Sequence, residues 1–115
     1  MGVKSEGKAL YGWAFRTGLR ILEQLEATHG EDGAEKRMTT LLLNLRSELL
    51  PAKFRRELAN AIIEIKPSEV SFPSEIKEER TWRIGEFYRY STAILAGFYD
   101  ALQSWKTEKR GGKSA

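Results

Sequence analysis

Apolar residues recur along this 115-residue chain at intervals of three and four positions, the spacing of one face of an α-helix. This spacing predicts a first helix over residues 8–27, ended by His29 and Gly30. A second apolar stripe predicts a helix over residues 34–50, and Pro51 suits the first turn of a third. Strand-like alternation never extends beyond a few residues. We therefore expect an all-α bundle of about four helices.

The last part of the chain predicts the longest helix. Residues 66–73 contain two prolines and two serines, which indicates a loop whose Val70 and Phe72 can plug the core. Ser74 is a good N-cap for a helix whose apolar stripe continues to Trp105, a span of about 30 residues or roughly 45 Å. Residues 108–115 carry charge and glycine and predict a disordered basic tail. The expected organisation is one helical domain over residues 1–107 and a flexible tail over 108–115.

Glycines inside the predicted helices point to special packing. Gly12 and Gly18 lie within the first helix, where glycine costs about 1 kcal/mol relative to alanine. We therefore expect another backbone to approach closely at these two positions. Gly85 and Gly97 are places where the last helix could bend.

The residue inventory excludes several kinds of catalytic site. The chain has no cysteine, which excludes disulfides, thiolate nucleophiles and cysteine-zinc sites. His29 is its single histidine, so the Glu-x-x-His pairs of a di-iron bundle are absent. Gly111 and Gly112 lack the strand and helix that flank a phosphate-binding loop. We expect no enzyme activity, no metal or other cofactor and no small-molecule substrate.

The distribution of apolar residues also bears on location. No run approaches the roughly 18 apolar residues that a membrane span needs. The first residues, Met-Gly-Val-Lys-Ser-Glu, lack the apolar stretch of a signal peptide. A cytoplasmic protein without a membrane partner is expected.

The net charge of +3 is concentrated at the C-terminus. Residues 1–30 contribute +1, residues 31–65 contribute 0, residues 66–104 contribute −1 and residues 105–115 contribute +3. Any basic surface on the body must therefore arise because cations are sorted onto particular helix faces.

Several cations lie beside aromatic residues, a pattern that suits single-stranded nucleic acid. Cations bind phosphates, and flat rings stack on unpaired bases. Solvated helix faces, with the tryptophans and tyrosines in the core, explain the same pattern. The candidate cations are Arg16, Arg20, Lys53, Arg55, Arg56, Arg80, Arg83 and Arg89.

The last predicted helix has apolar residues on two sides. One side can form the core, while the other partly remains for a protein neighbour. The residues of this second side are Tyr88, Leu95, Tyr99 and Leu102.

Three stretches, residues 10–23, 72–76 and 85–90, carry a family resemblance. Their order resembles the small helical subunit of CRISPR effector complexes, most closely the type I Cascade small subunit and the C-terminal part of the type I large subunit. In that family a glycine, arginine and aromatic pattern opens the domain, and a Phe-Pro corner precedes the last helix. Glu86 and Arg89 depart from the family, whose members carry an aromatic and an amide there. Residues 87–99 also resemble the last helix of the type III small subunit.

The resemblance implies a non-catalytic subunit that stacks in several copies beside the other subunits of the complex. It would hold crRNA and target or displaced DNA by backbone contacts, with the eight candidate cations contacting phosphates. Two other functions fit the sequence: a helical DNA-binding regulator and a plain protein-interaction module such as an adaptor or antitoxin. Against a helix-turn-helix regulator, the junction of Leu50 and Pro51 leaves almost no turn.

Overall fold

The computed structural model describes the backbone of residues 2–77 and 82–114, and the side chains of residues 7–77 and 82–110. These residues form four helices and no strand, which confirms the predicted all-α class. The helices are α1 Gly2–Ser47, α2 Pro51–Ile65, α3 Ser74–Lys77 and α4 Ile84–Ser114.

Helix α1 is divided at Gly30, where the sequence predicts a break. Gly30 has φ 79° and ψ 175°, a conformation that is essentially restricted to glycine. A straight helix of 46 residues would be about 69 Å long, whereas the longest dimension of the molecule is 46 Å. The helix therefore folds at Gly30 into a first arm, residues 2–29, and a second arm, residues 31–47.

The corner between α1 and α2 depends on Pro51. Helix α2 begins at Pro51, as predicted, while α1 ends at Ser47 rather than at Leu50. Leu50 is extended, with φ −104° and ψ 125°, because the proline ring disfavours helical geometry in the preceding residue. The peptide N–H of Phe54 donates to the Leu50 carbonyl at 2.9 Å, which closes the first turn of α2.

Helix α4 packs tightly against the first arm of α1. A Cβ placed on Gly18 would lie 2.8 Å from the Cβ of Ala101, and one on Gly97 would lie 2.6 Å from the Cβ of Ala14. The two helices run parallel, because the contacting residue numbers rise together. The predicted close approach is confirmed at Gly18. It is wrong at Gly12, where the nearest group is a side chain of the same helix.

The start of α4 differs from the prediction. Ser74 begins the short helix α3 rather than capping the last helix, and Trp82 is not helical. The carboxylate of Glu86 accepts a hydrogen bond at 2.9 Å from the peptide N–H of Arg83, as in a capping box. Helix α4 therefore begins at Ile84 and has 31 residues. A long last helix is confirmed, but it begins ten residues after Ser74 and continues past Trp105.

The C-terminal end of α4 also differs. Residues 108–114 are helical, although their composition predicts a disordered tail. Lys109 Nζ donates to Glu26 Oε2 at 2.8 Å, and Trp105 Nε1 donates to Glu26 Oε1 at 3.2 Å. The hydrogen bond from Lys109 lowers the pKa of the Glu26 carboxyl group. The first arm of α1 thus holds this end of α4, and sequence composition does not reveal that partner.

The loop over residues 66–73 returns the chain along the first arm of α1. Lys66 ends α2 in the left-handed conformation, with φ 56°. Val70 and Phe72 are half-buried and pack against the core, as predicted. The loop lies between α1 and α2 and positions the surface described next.

Candidate nucleic-acid interface

Three cations converge on a concave surface between α2 and the region around α3. Arg55 and Arg56 come from α2, and Lys77 ends α3. The concavity has a volume of about 520 Å³, and its described lining residues include no carboxylate. We call this surface the basic depression. It is lined by Ala52, Arg55, Arg56, Ala59, Phe72, Ile76 and Lys77.

The helical period of α2 explains the depression. Phe54, Leu58 and Ile62 bury one face of the helix in the core. The arginines at 55 and 56 lie on the adjacent flank, with the small side chains of Ala52 and Ala59 one turn away on either side. Because alanine fills little space, the flank stays concave between α2 and the Phe72 ring.

A second concave surface lies along the first arm of α1. Arg16 and Arg20 line it together with Glu23 and Glu69, in a volume of about 440 Å³. Arg20 Nη2 lies 2.9 Å from Glu69 Oε2, and Arg20 Nη1 lies 3.4 Å from Glu23 Oε2. The lining of this surface therefore carries two cations and two carboxylates, in contrast to the basic depression.

The loop over residues 66–73 separates the two surfaces. Trp13 Nε1 donates to the Ser71 carbonyl at 2.6 Å, which holds the loop against α1. Ser71 lines the surface on α1, and the next residue, Phe72, lines the basic depression. The two surfaces are therefore neighbours on opposite sides of one extended segment.

Lys53 lies on α2 but outside the lining of the basic depression. It is exposed beside Glu57, and its positive charge acts on the pKa of the Glu57 carboxyl group. Partial loss of hydration, followed by a hydrogen bond with Glu48, raises the pKa of Glu57, and Lys53 opposes that rise. Lys53 lies one helical turn before Arg56, on the neighbouring part of the helix surface, but it does not line the basic depression.

The remaining candidate cations are scattered. Arg83 is exposed at the start of α4, and Arg89 is half-buried with its guanidinium 6.0 Å from the centre of the Tyr90 ring. Neither lines the basic depression. The prediction at Arg80 falls outside the described residues.

Most of the aromatic residues beside the cations belong to the core. Trp13, Trp82 and Tyr90 are buried, and Trp82 and Tyr90 contact edge to face at 5.1 Å. The core explanation of these rings is therefore confirmed. Tyr88 is the exception, with 73% of its surface exposed. Phe72 is the ring that borders the basic depression.

An apolar groove runs between the second arm of α1 and α4. Leu43 and Tyr99 remain 56% and 55% exposed there, and the groove has a volume of about 590 Å³. The expected exposure is confirmed for Tyr99 and Tyr88, while Leu95 is half-buried. The expectation is wrong for Leu102, which is buried in the core. The floor of this groove is formed by Leu42, Leu43, Leu95, Ala96 and Tyr99.

The described residues show no metal-binding cluster and no membrane-spanning helix. Among the described side chains, no group of three or more histidine or carboxylate residues is placed to hold a metal ion. His29 is exposed at the end of the first arm of α1. Within the described ranges, no helix has the length and apolar character needed to cross a bilayer. No protein-family model, curated protein or solved structure matches the chain.

Proposed function

We propose that the protein is a non-catalytic subunit of a CRISPR ribonucleoprotein effector that holds nucleic acid by its phosphates at the basic depression. The observation that carries this proposal is the convergence of Arg55, Arg56 and Lys77 on one concave surface. Its ligand is crRNA, the target or the displaced DNA strand, and its protein neighbours are other subunits and further copies of itself.

Charge and shape support a phosphate ligand at this surface. Guanidinium groups match phosphate oxygens in a two-pronged arrangement, and a lysine adds a compact third charge. Arg56 and Lys77 are exposed at this surface. Phosphate contacts position a strand without reading its bases, so binding is expected to be independent of sequence.

Protein contacts have a separate location. The apolar groove between the second arm of α1 and α4 exposes Leu43 and Tyr99. Exposed apolar surface of this kind is typical of protein-interaction sites. The groove therefore also supports a plain interaction module, and the affinity for nucleic acid distinguishes that alternative from the effector subunit.

A salt titration of single-stranded RNA and DNA binding tests the proposal. Arg56→Gln removes one exposed cation from the basic depression, and Arg37→Gln removes an exposed arginine from the second arm of α1, where it lines a different groove. Each phosphate contact on a single strand contributes about 0.7 to the slope of log K against log salt concentration. Arg56→Gln should make the decrease of log K with log salt concentration shallower by about 0.7. At low salt it should weaken binding by on the order of tenfold. Arg37→Gln should change both much less.

Two results would contradict the proposal. The first is no affinity of the wild-type chain at low salt, or an affinity that salt does not change. The second is an equal loss in the two variants, because net charge alone would then explain the binding.

A further inference from the structure

We infer that Glu69 competes with nucleic-acid phosphate for Arg20 and so keeps the arginines of α1 apart from the basic depression. The loop carboxylate occupies the position that a phosphate group would take at this guanidinium. This inference rests on the proposed function, because it concerns how far the same phosphate-binding surface extends.

The ion pair between Glu69 and Arg20 has the features of a replaceable contact. Arg20 Nη2 lies 2.9 Å from Glu69 Oε2. The Glu69 side chain is 76% exposed and the Arg20 side chain is 40% exposed. Ion pairs at such exposed positions add little to stability because water and salt screen them. A strand that brings several phosphates can therefore displace one carboxylate at low cost.

The backbone near Glu69 is held in place while its carboxylate remains accessible. Ser71, two residues later, accepts a hydrogen bond from the buried Trp13 ring, and Val70 packs against the core. Glu69 itself has φ 57°, a left-handed conformation that is uncommon outside glycine. The change required for binding is thus a movement of one side chain rather than an opening of the loop.

Release of Arg20 from Glu69, which leaves only the longer 3.4 Å contact with Glu23, would join the two concave surfaces. Arg16 and Arg20 lie on the α1 side of the loop, and Arg55, Arg56 and Lys77 lie on the other. The loop over residues 66–73 lies between them, since Ser71 lines one surface and Phe72 lines the other. A single strand that crosses this loop would contact both groups of cations. To bind the arginines of α1 as well, its phosphates would have to displace Glu69 from Arg20.

Glu69→Gln tests the competition in the full chain, measured by salt titration with fluorescent single-stranded RNA. The amide keeps the size of the side chain and removes its charge. We expect binding about three- to tenfold tighter at low salt and a slope steeper by about 0.7, the value of one added phosphate contact. Glu64→Gln is the matched control, because Glu64 is exposed in the groove between α2 and the second arm of α1.

Arg20→Gln, alone and combined with Glu69→Gln, shows whether the effect passes through Arg20. The gain from Glu69→Gln should vanish when Arg20 is absent. An equal gain from Glu64→Gln, no gain at all, or a gain that persists without Arg20 would each overturn the inference.

The two proposals fail differently. If Arg56→Gln weakens binding while Glu69→Gln has no effect, the proposed function stands and the competition is rejected. If neither the wild-type chain nor Glu69→Gln binds at low salt, both are rejected. Thermal melting of each variant by circular dichroism verifies that the fold is unchanged.

Discussion

Gly97 determines how closely α4 can approach the first arm of α1. A Cβ at this position would lie 2.7 Å from the backbone oxygen of Tyr11 and 2.9 Å from the backbone nitrogen of Phe15. Backbone atoms inside a helix cannot rotate away as the end of a flexible side chain can. The whole helix would have to shift, which would disturb the core that surrounds this contact.

We therefore expect Gly97→Ala to lower the free energy of unfolding by about 1–3 kcal/mol, the usual cost of overpacking a core. Gly12→Ala is the control, since its Cβ would meet only the mobile guanidinium of Arg16, at 3.2 Å. There alanine should be neutral or stabilising by up to about 1 kcal/mol. Urea unfolding of both variants measures the difference, and equal stabilities would show that the contact at Gly97 is not tight.

At the same scale, sequence reasoning recovers only part of the candidate site. Arg55 and Arg56 can be identified because they follow the buried Phe54 on one helix. Lys77 is missed because only the tertiary fold brings α3 beside α2. Arg20 is found as a cation, but its partner Glu69 lies 49 residues away in sequence. Local spacing reports charge pairs within one helix, such as Arg20 with Glu23, and does not report the pairs that only the tertiary fold creates.

At the scale of elements, helical periodicity locates most of the fold. The break at Gly30 and the start of α2 at Pro51 follow from glycine and proline chemistry, which acts locally. The two ends of α4 depend on side-chain contacts, one within the first turn of the helix and one with a residue of α1. Glu86 caps the first turn from inside the helix, and Glu26 holds the last turns from α1.

The contact of Glu26 with the end of α4 leads to a prediction about its pH dependence. Because Lys109 lowers the pKa of Glu26, the folded state binds a proton there less tightly than the unfolded chain does. The contribution to stability is present above the ordinary glutamate value of 4.5 and is lost as pH falls through the lowered pKa.

Glu26→Gln should therefore speed hydrogen exchange of the amides at residues 106–114 at neutral pH. The difference from the wild-type chain should shrink as the pH falls through the lowered pKa of Glu26. Glu108→Gln removes the same charge from the same end of α4 at an exposed site and should leave the exchange nearly unchanged. Unaltered exchange in Glu26→Gln would mean that the end of α4 is helical without this contact.

For the molecule as a whole, the location of its charge matters more than the total. The net charge of +3 comes from residues 105–115, yet Arg55, Arg56 and Lys77 form the basic depression in the body. Residues 66–104 carry a net charge of −1 and still contribute Lys77. The fold thus produces a cationic surface from segments that are close to neutral, which a composition cannot predict.

The core extends through the whole bundle, and its tryptophans report on different parts of it. Trp82 packs near Phe54 at the start of α2, whereas Trp105 contacts Glu26 close to the turn at Gly30. Both rings belong to one hydrophobic cluster together with Trp13. If that cluster acts as one cooperative unit, its two ends must unfold together.

We predict a single unfolding transition in urea, with a slope of about 1–3 kcal/mol per molar, as expected for one small domain. Tryptophan fluorescence of the double variant Trp13→Phe/Trp82→Phe reports the Trp105 end, and that of Trp13→Phe/Trp105→Phe reports the Trp82 end. Within each variant, its midpoint should coincide with the midpoint from circular dichroism, because loss of either end exposes the shared core. In either variant, the fluorescence transition could instead precede the loss of helix. That result would show that the arms of α1 and α4 separate independently of α2. The chain would then contain two cooperative units.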